Sequence, residues 1–160
     1  MAHQYVLEKR QWVPSPLENV FPFFADAANL QELTPDWLRF SILTPQPVTM
    51  HPGARIDYKL HWHGLPMRWR TEITEWEPPH RFQDLQLRGP YALWRHTHRF
   101  YARDGGTELH DRVEYALPFG PLGRIAHGIS VRRDVEKIFA YRWKKVEELF
   151  GGAGRGTVPR

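Results

Sequence analysis

The chain contains no cysteine. It can form no disulfide, offers no thiol nucleophile and cannot build a thiolate metal site. The absence also fits a reducing compartment. No stretch approaches the ~18 apolar residues of a membrane span. The opening residues, MAHQYVLEKRQW, lack an apolar core of signal-peptide length, so a cytoplasmic protein is expected. There is no phosphate-binding P-loop, dinucleotide fingerprint or nucleophile elbow, which removes support from other common enzyme classes. Basic charge is not concentrated. Twenty-two Lys and Arg stand against 18 Asp and Glu, a net charge of +4. The densest basic clusters, Arg132-Arg133 and Arg142 to Lys145, are short. A nucleic-acid binder usually carries a basic stripe, so no nucleic-acid partner is expected.

What the chain has in quantity is flat apolar surface: seven Trp, six Tyr and nine Phe in 160 residues. That suits a large core or an aromatic-lined cavity. A chain of this length makes one domain and buries roughly 70% of the surface its unfolded form exposes. The domain is expected over 1–150, with GGAGRGTVPR (151–160) as a disordered tail.

The pattern along the chain alternates between two periods. YVLEKRQWV (5–13) predicts a strand ending at Pro14. Ser15, Pro16 and Glu18 predict a capping box and helix start, with Pro22 shortening or bending the helix near Phe24. A second short helix is expected from Ala27 to Leu33, before Thr34-Pro35. Extended segments follow at RFSILTP (39–45), 54–64, 67–79, 81–90, 91–103 and 107–118. Gly64-Leu65-Pro66, Gly89-Pro90 and Asp104-Gly105-Gly106 supply the turns. From Gly120-Pro121 a long helix begins, and Gly151-Gly152 stops it. Its expected apolar stripe comprises Leu122, Ile125, Ile129, Val135, Ile138, Phe139, Val146 and Leu149. The predicted class is α+β: a curved antiparallel sheet of about six to seven strands, two short helices after the first strand, and the long C-terminal helix covering the apolar face.

This element order resembles the helix-grip fold of the START/Bet v 1-like superfamily (SRPBCC proteins, related to polyketide cyclases and dehydrases), over Tyr5 to Phe150. Three blocks sharpen it: DAANLQELTPDWLRFSILTP (26–45), FQDLQLRGPYALWRHTHRF (82–100) and GGTELHDRVEYALPFGPLG (105–123). They are similar to segments of an uncharacterised bacterial branch, some of whose members are fused to sugar-epimerase-like domains. Pro22 departs from that branch's usual pattern. The resemblance implies an internal cavity for an apolar or amphipathic molecule. It does not supply a reaction, because fold does not set function.

Alternation assigns faces. Ile56, Tyr58, Leu60 and Trp62 share one; so do Met67, Trp69, Thr71 and Ile73. Phe82, Asp84 and Gln86 share a third, Trp94, His96, His98 and Phe100 a fourth, and Leu109, Asp111, Val113, Tyr115 and Leu117 a fifth. A one-residue bulge would reverse an assignment beyond it. On these mainly apolar faces, Asp84, Gln86, His96, His98 and Asp111 are the polar exceptions, carried by three consecutive strands. Buried polar groups need partners, so these residues bond to one another, to water or to a ligand. An Asp beside a His would fix its tautomer and raise its pKa. A structural network, ligand contact and His–Asp acid/base chemistry all remain open, with His96, His98 and Asp111 as the catalytic candidates. His-x-His alone is a weak metal signal, and no metal or other cofactor is expected. His61 and His63 lie on the solvent side and are read as incidental.

The residues expected to meet a ligand are Tyr58, Trp62, Trp69, Asp84, Gln86, Trp94, His96, His98, Asp111, Tyr115, Phe139 and Arg142. The leading expectation is binding, transport or sequestration of a hydrophobic small molecule such as a lipid or polyketide-like compound. A cofactor-free cyclase or dehydratase is the second. A protein-interaction module with a closed core is the third. Oligomeric state is not legible.

Overall fold

The computed structural model describes residues 3–151. The expected tail beyond Gly151 lies outside the described residues. Seven strands form one antiparallel sheet: β1 (Gln4–Val13), β2 (Ser41–Ile42), β3 (Arg55–Trp62), β4 (Leu65–Glu77), β5 (Arg81–Arg88), β6 (Leu93–Arg103) and β7 (Gly106–Ala116). Their spatial order is β1-β7-β6-β5-β4-β3-β2. Strands β2 to β7 are a simple meander, and β1 closes on β7 along its whole length. Between β1 and β2 lie helix α1 (Leu17–Ala25) and two 3-10 turns, Ala27–Leu30 and Asp36–Leu38. Helices α2 (Gly120–Ala126) and α3 (Arg132–Phe150) are joined without a break by a π-helical turn, His127–Val131. The architecture is the α+β helix-grip fold: a curved sheet wrapped around a long C-terminal helix.

Four local expectations need correction. The capping box does not form: Pro16 itself is the N-cap of α1 and no side chain caps the helix. The helix itself is short as expected, ending at Ala25, and Pro22 within it is exposed, leaving the carbonyl it cannot satisfy open to water. The second short helix is a 3-10 turn, and RFSILTP contributes only two strand residues. The β3–β4 turn is His63-Gly64 rather than Gly64-Leu65-Pro66. Both turn residues have positive φ, 49° and 80°, which is the type I′ geometry a two-residue hairpin favours. Asp104-Gly105 does the same between β6 and β7, at 51° and 76°.

The fourth correction concerns the C-terminal helix. Leu122, Ile125 and Ile129 are 71%, 59% and 70% exposed, so the first part of the predicted stripe faces outward. The buried line is Gly123, His127, Val131, Val135, Phe139, Arg142 and Val146. The π turn accounts for this. It holds one extra residue, which rotates the preceding helix by about 100° relative to an uninterrupted α-helix. His127 pins the turn: its ring stacks on Tyr5 at 3.5 Å and its Nε2 meets the Tyr115 hydroxyl at 2.8 Å.

The core is not uniform. One end is closed by Val13, Val20, Phe21, Phe82, Phe100 and Val146, packed between sheet, α1 and the end of α3. Farther along, Val113, Val131, Val135 and Phe139 join helix to sheet. Ile56, Tyr58 and Ala27 form a third cluster under the segment after α1. Between the three clusters the molecule is hollow.

Candidate functional site

The hollow is a cavity of about 460 Å³ between the concave sheet and the C-terminal helix. That is within the range of small-molecule sites. Period-two alternation builds its wall. Tyr58 and Trp62 come from β3, Trp69 from β4, Trp94 from β6, and Phe139 from α3. Trp69, Tyr91 and Trp94 pack edge-on and tilted at 4.8 to 5.7 Å, and Trp94 lies over Phe139 at 6.2 Å. Phe119 and Leu122, both largely exposed, also line the cavity, so it reaches solvent where α2 begins.

One wall is polar. His96 and His98, each 5% exposed, project from β6 with Asp84 on β5 and Asp111 on β7 at their sides. Strand register sets Asp84 opposite His96 and Asp111 opposite His98. The hydrogen bonds run along the diagonals instead. His98 Nε2 donates to Asp84 at 2.9 Å, and His96 Nε2 donates to Asp111 at 2.9 Å. Asp111 also lies 3.5 Å from His98 Nδ1. The His98 ring is sandwiched between Phe82 at 4.1 Å and His96 at 3.7 Å. Stacking fixes the ring plane, and the carboxylates fix its rotation within that plane.

This packing sets the charges. Burial opposes ionisation of both carboxyls, yet their hydrogen bonds to the imidazoles outweigh it, and Asp84 and Asp111 stay anionic below the usual carboxylate range. Burial also opposes a charged His98, but Asp111 and Asp84 outweigh it and raise its pKa. His96 goes the other way. Burial and the neighbouring positive His98 push it down to about 4 despite Asp111. The two carboxylates are therefore ionised, His96 is neutral near neutral pH, and His98 holds a proton more readily than His96 does. Because ionised carboxylates only accept, His96 carries its proton on Nε2.

Arg142 on α3 reaches the same region. It is 7% exposed and lines the cavity, with its guanidinium 5.4 Å from the Phe24 ring. Its Nε is fully shielded and has no hydrogen-bond partner. Asp84, His96 and Asp84's partner His98 also supply three potential ligand atoms within 4.8 Å of one another. The Nε2 atom of each histidine already donates to a carboxylate, while His98 Nδ1 is shielded and makes no hydrogen bond among the described residues.

Nine of the twelve residues expected at a ligand site line the cavity: Tyr58, Trp62, Trp69, Asp84, Trp94, His96, His98, Phe139 and Arg142. The other three lie elsewhere. Gln86 clamps the β5–β6 connection, its amide giving a bond to the Tyr91 carbonyl and taking one from the Tyr91 N–H. Asp111 stands behind the histidines, and Tyr115 is turned to His127. The reading of His63 as incidental needs revision. His63 Nε2 and Trp62 Nε1 both meet Asp134 Oδ2 at 2.8 Å, tying the β3–β4 hairpin to α3. Asp134 was missed by sequence reasoning. The available signal was a carboxylate one position before Val135, on the buried side of the helix.

Residues 13–141 match a family model described as polyketide cyclase / dehydrase and lipid transport. No curated protein matches the chain. Several solved structures share its fold. Protein CV1439 from Chromobacterium violaceum has TM-score 0.70 and 15% identity, with 92% of this chain and 97% of that chain covered. Ginseng major latex-like protein 151 from Panax ginseng has TM-score 0.66 and 8% identity, with 92% and 97% covered. A nucleoside-diphosphate sugar epimerase from Corynebacterium glutamicum has TM-score 0.63 and 22% identity; the match spans 89% of this chain and 28% of that one. At such identities the likeness shows fold alone.

Proposed function

The chain belongs to the polyketide cyclase / dehydrase and lipid transport family, within the START/Bet v 1-like superfamily, and on that premise we propose that it binds a hydrophobic or amphipathic small molecule in its internal cavity. The observation that carries this reading is the cavity itself: about 460 Å³, walled mainly by aromatic and aliphatic side chains, with Asp84, His96, His98 and Arg142 among its fewer polar lining groups. Apolar walls with a few placed polar groups suit a molecule held by burial and oriented at one end. In this reading Tyr58, Trp62, Trp69, Trp94 and Phe139 surround the apolar body. Asp84, His96, His98 and Arg142 face its polar end. Asp111 positions the histidines. Lipids and polyketide-like compounds have the right character, and transport or sequestration follows from binding without turnover.

Acid/base chemistry fits the geometry less well. A useful general base titrates near the working pH. His96, at about 4, is a weak base, and His98, its pKa raised, is fixed by an Nε2 hydrogen bond to Asp84 with Asp111 3.5 Å from its Nδ1. Neither imidazole is poised to exchange protons with a substrate.

Native mass spectrometry of protein purified from its own host tests the reading, followed by denaturing extraction of the bound molecule. The expected result is a stoichiometric apolar adduct. Failure to retain or take up any apolar compound across a lipid and aromatic panel would overturn it.

A further inference from the structure

A guanidinium buried without an acceptor is expensive, because its five N–H donors lose water and gain nothing. Arg142 is in this position at its Nε: the residue is 7% exposed, and its shielded Nε meets no acceptor among the described residues. The nearest anions are spent elsewhere: Asp84 accepts from His98, and Asp111 accepts from His96 while flanking His98. The contact that remains is the face of Phe24, also in the cavity wall. An apolar wall can shield a guanidinium but cannot satisfy its hydrogen bonds.

We propose that Arg142 is the anion-binding end of the cavity and that the ligand is a flat, apolar monocarboxylic acid. This rests on the cavity-binding reading above and adds the ligand's head group. A carboxylate answers the planar fork of a guanidinium with two parallel hydrogen bonds. A single charge fits better than a double one. Asp84 on β5 and Asp111 on β7 share this region and repel additional negative charge, against the one guanidinium of Arg142 on α3. The flat body follows from the aromatic lining, where Trp69, Tyr91, Trp94 and Phe139 present ring faces and edges. His96, neutral beside the incoming charge, can take up a proton to balance it.

The test compares pyrene-1-butyrate with its methyl ester, which keeps the body and removes the charge. Binding is followed by pyrene fluorescence and tryptophan quenching in the wild type, Arg142→Met and Arg142→Lys. The wild type should prefer the acid by about tenfold or more, the range for hydrogen bonds to charged groups. Arg142→Met should bind the ester at least as well as the wild type does and lose the preference for the acid. Arg142→Lys, which keeps the charge but not the fork, should retain a smaller preference. Equal affinity of the wild type for acid and ester would overturn this inference and leave the cavity reading standing. Binding of neither probe would overturn the flat-acid assignment, and the cavity reading would fall with it only if the lipid and aromatic panel also failed to bind. The wild-type comparison decides the matter even if a variant fails to fold.

Discussion

His96 offers the sharpest test of the site's electrostatics. Replacing it with glutamine removes the titratable ring but keeps an amide N–H able to donate to Asp111, its partner at 2.9 Å. In the folded protein the His96 pKa falls from 6.5 to about 4. The unfolded chain therefore takes up this proton first as pH drops. The contribution of His96 is full above 6.5, declines below it, and levels off once the folded state is protonated too, near 4. At about 1.4 kcal/mol per tenfold change in proton affinity, it withdraws about 2 kcal/mol of stability between about pH 7 and about pH 4.5. The variant has no such loss. His98 acts in the opposite sense, but it is present in both proteins and cancels in their difference. Urea unfolding followed by tryptophan fluorescence at the two pH values measures the gap. The variant should gain about 2 kcal/mol on the wild type as pH falls. A gap that moves by less than about 0.5 kcal/mol would refute the picture of a buried, neutral imidazole.

Three further outcomes are expected. Asp134→Ala strands the Trp62 and His63 N–H donors and should cost about 2 kcal/mol in urea unfolding, whereas His61→Ala should stay within about 0.5 kcal/mol. Equal losses would mean that the hairpin is not clamped through Asp134. Phe100→Ala empties the centre of a cluster formed with Phe21, Phe24 and Phe82 and should cost about 3–5 kcal/mol; a loss below about 1 kcal/mol would show that this end of the core is loose. Asp111→Asn removes one of the two anions beside His98 and should lower its pKa, as read by imidazole NMR. A raised His98 pKa contributes stability that is full below the unfolded value and lost as pH rises through the folded value, so in this variant the loss should be smaller and complete at lower pH. An unchanged His98 titration would show that Asp111 does not hold its charge.

Much of the site was legible because strands obey period two. Trp94, His96, His98 and Phe100 had to share a face, and Phe82 and Asp84 had to meet them if consecutive strands paired. The hairpin signal at Asp104-Gly105 carried the same certainty, since adjacent left-handed residues suit a two-residue turn. Alternation failed where the ladder slipped. Register shifts between Ile73 and Glu75, and between Arg70 and Thr71, insert an extra residue, and Trp76 turns inward three positions after Ile73. Nothing in the local pattern announces a bulge. Gln86 shows another limit: alternation placed it on the cavity side, but a nearby backbone segment captured both ends of its amide.

The amino-acid order alone was enough for the fold class, the meander, the long covering helix and the pairing of two histidines with carboxylates from adjacent strands. All of these follow from local periodicity, which depends only on residues a few positions apart. Tertiary structure decided the rest. It rotated the start of the C-terminal helix through a π turn, recruited Asp134 and His63 into a clamp 71 residues apart in sequence, and moved the pKa values of His96 and His98 in opposite directions. It also left Arg142 in the cavity wall without an acceptor for its Nε. Burial, hydrogen-bond satisfaction and pKa depend on what surrounds a side chain in three dimensions, and chain order does not specify those neighbours.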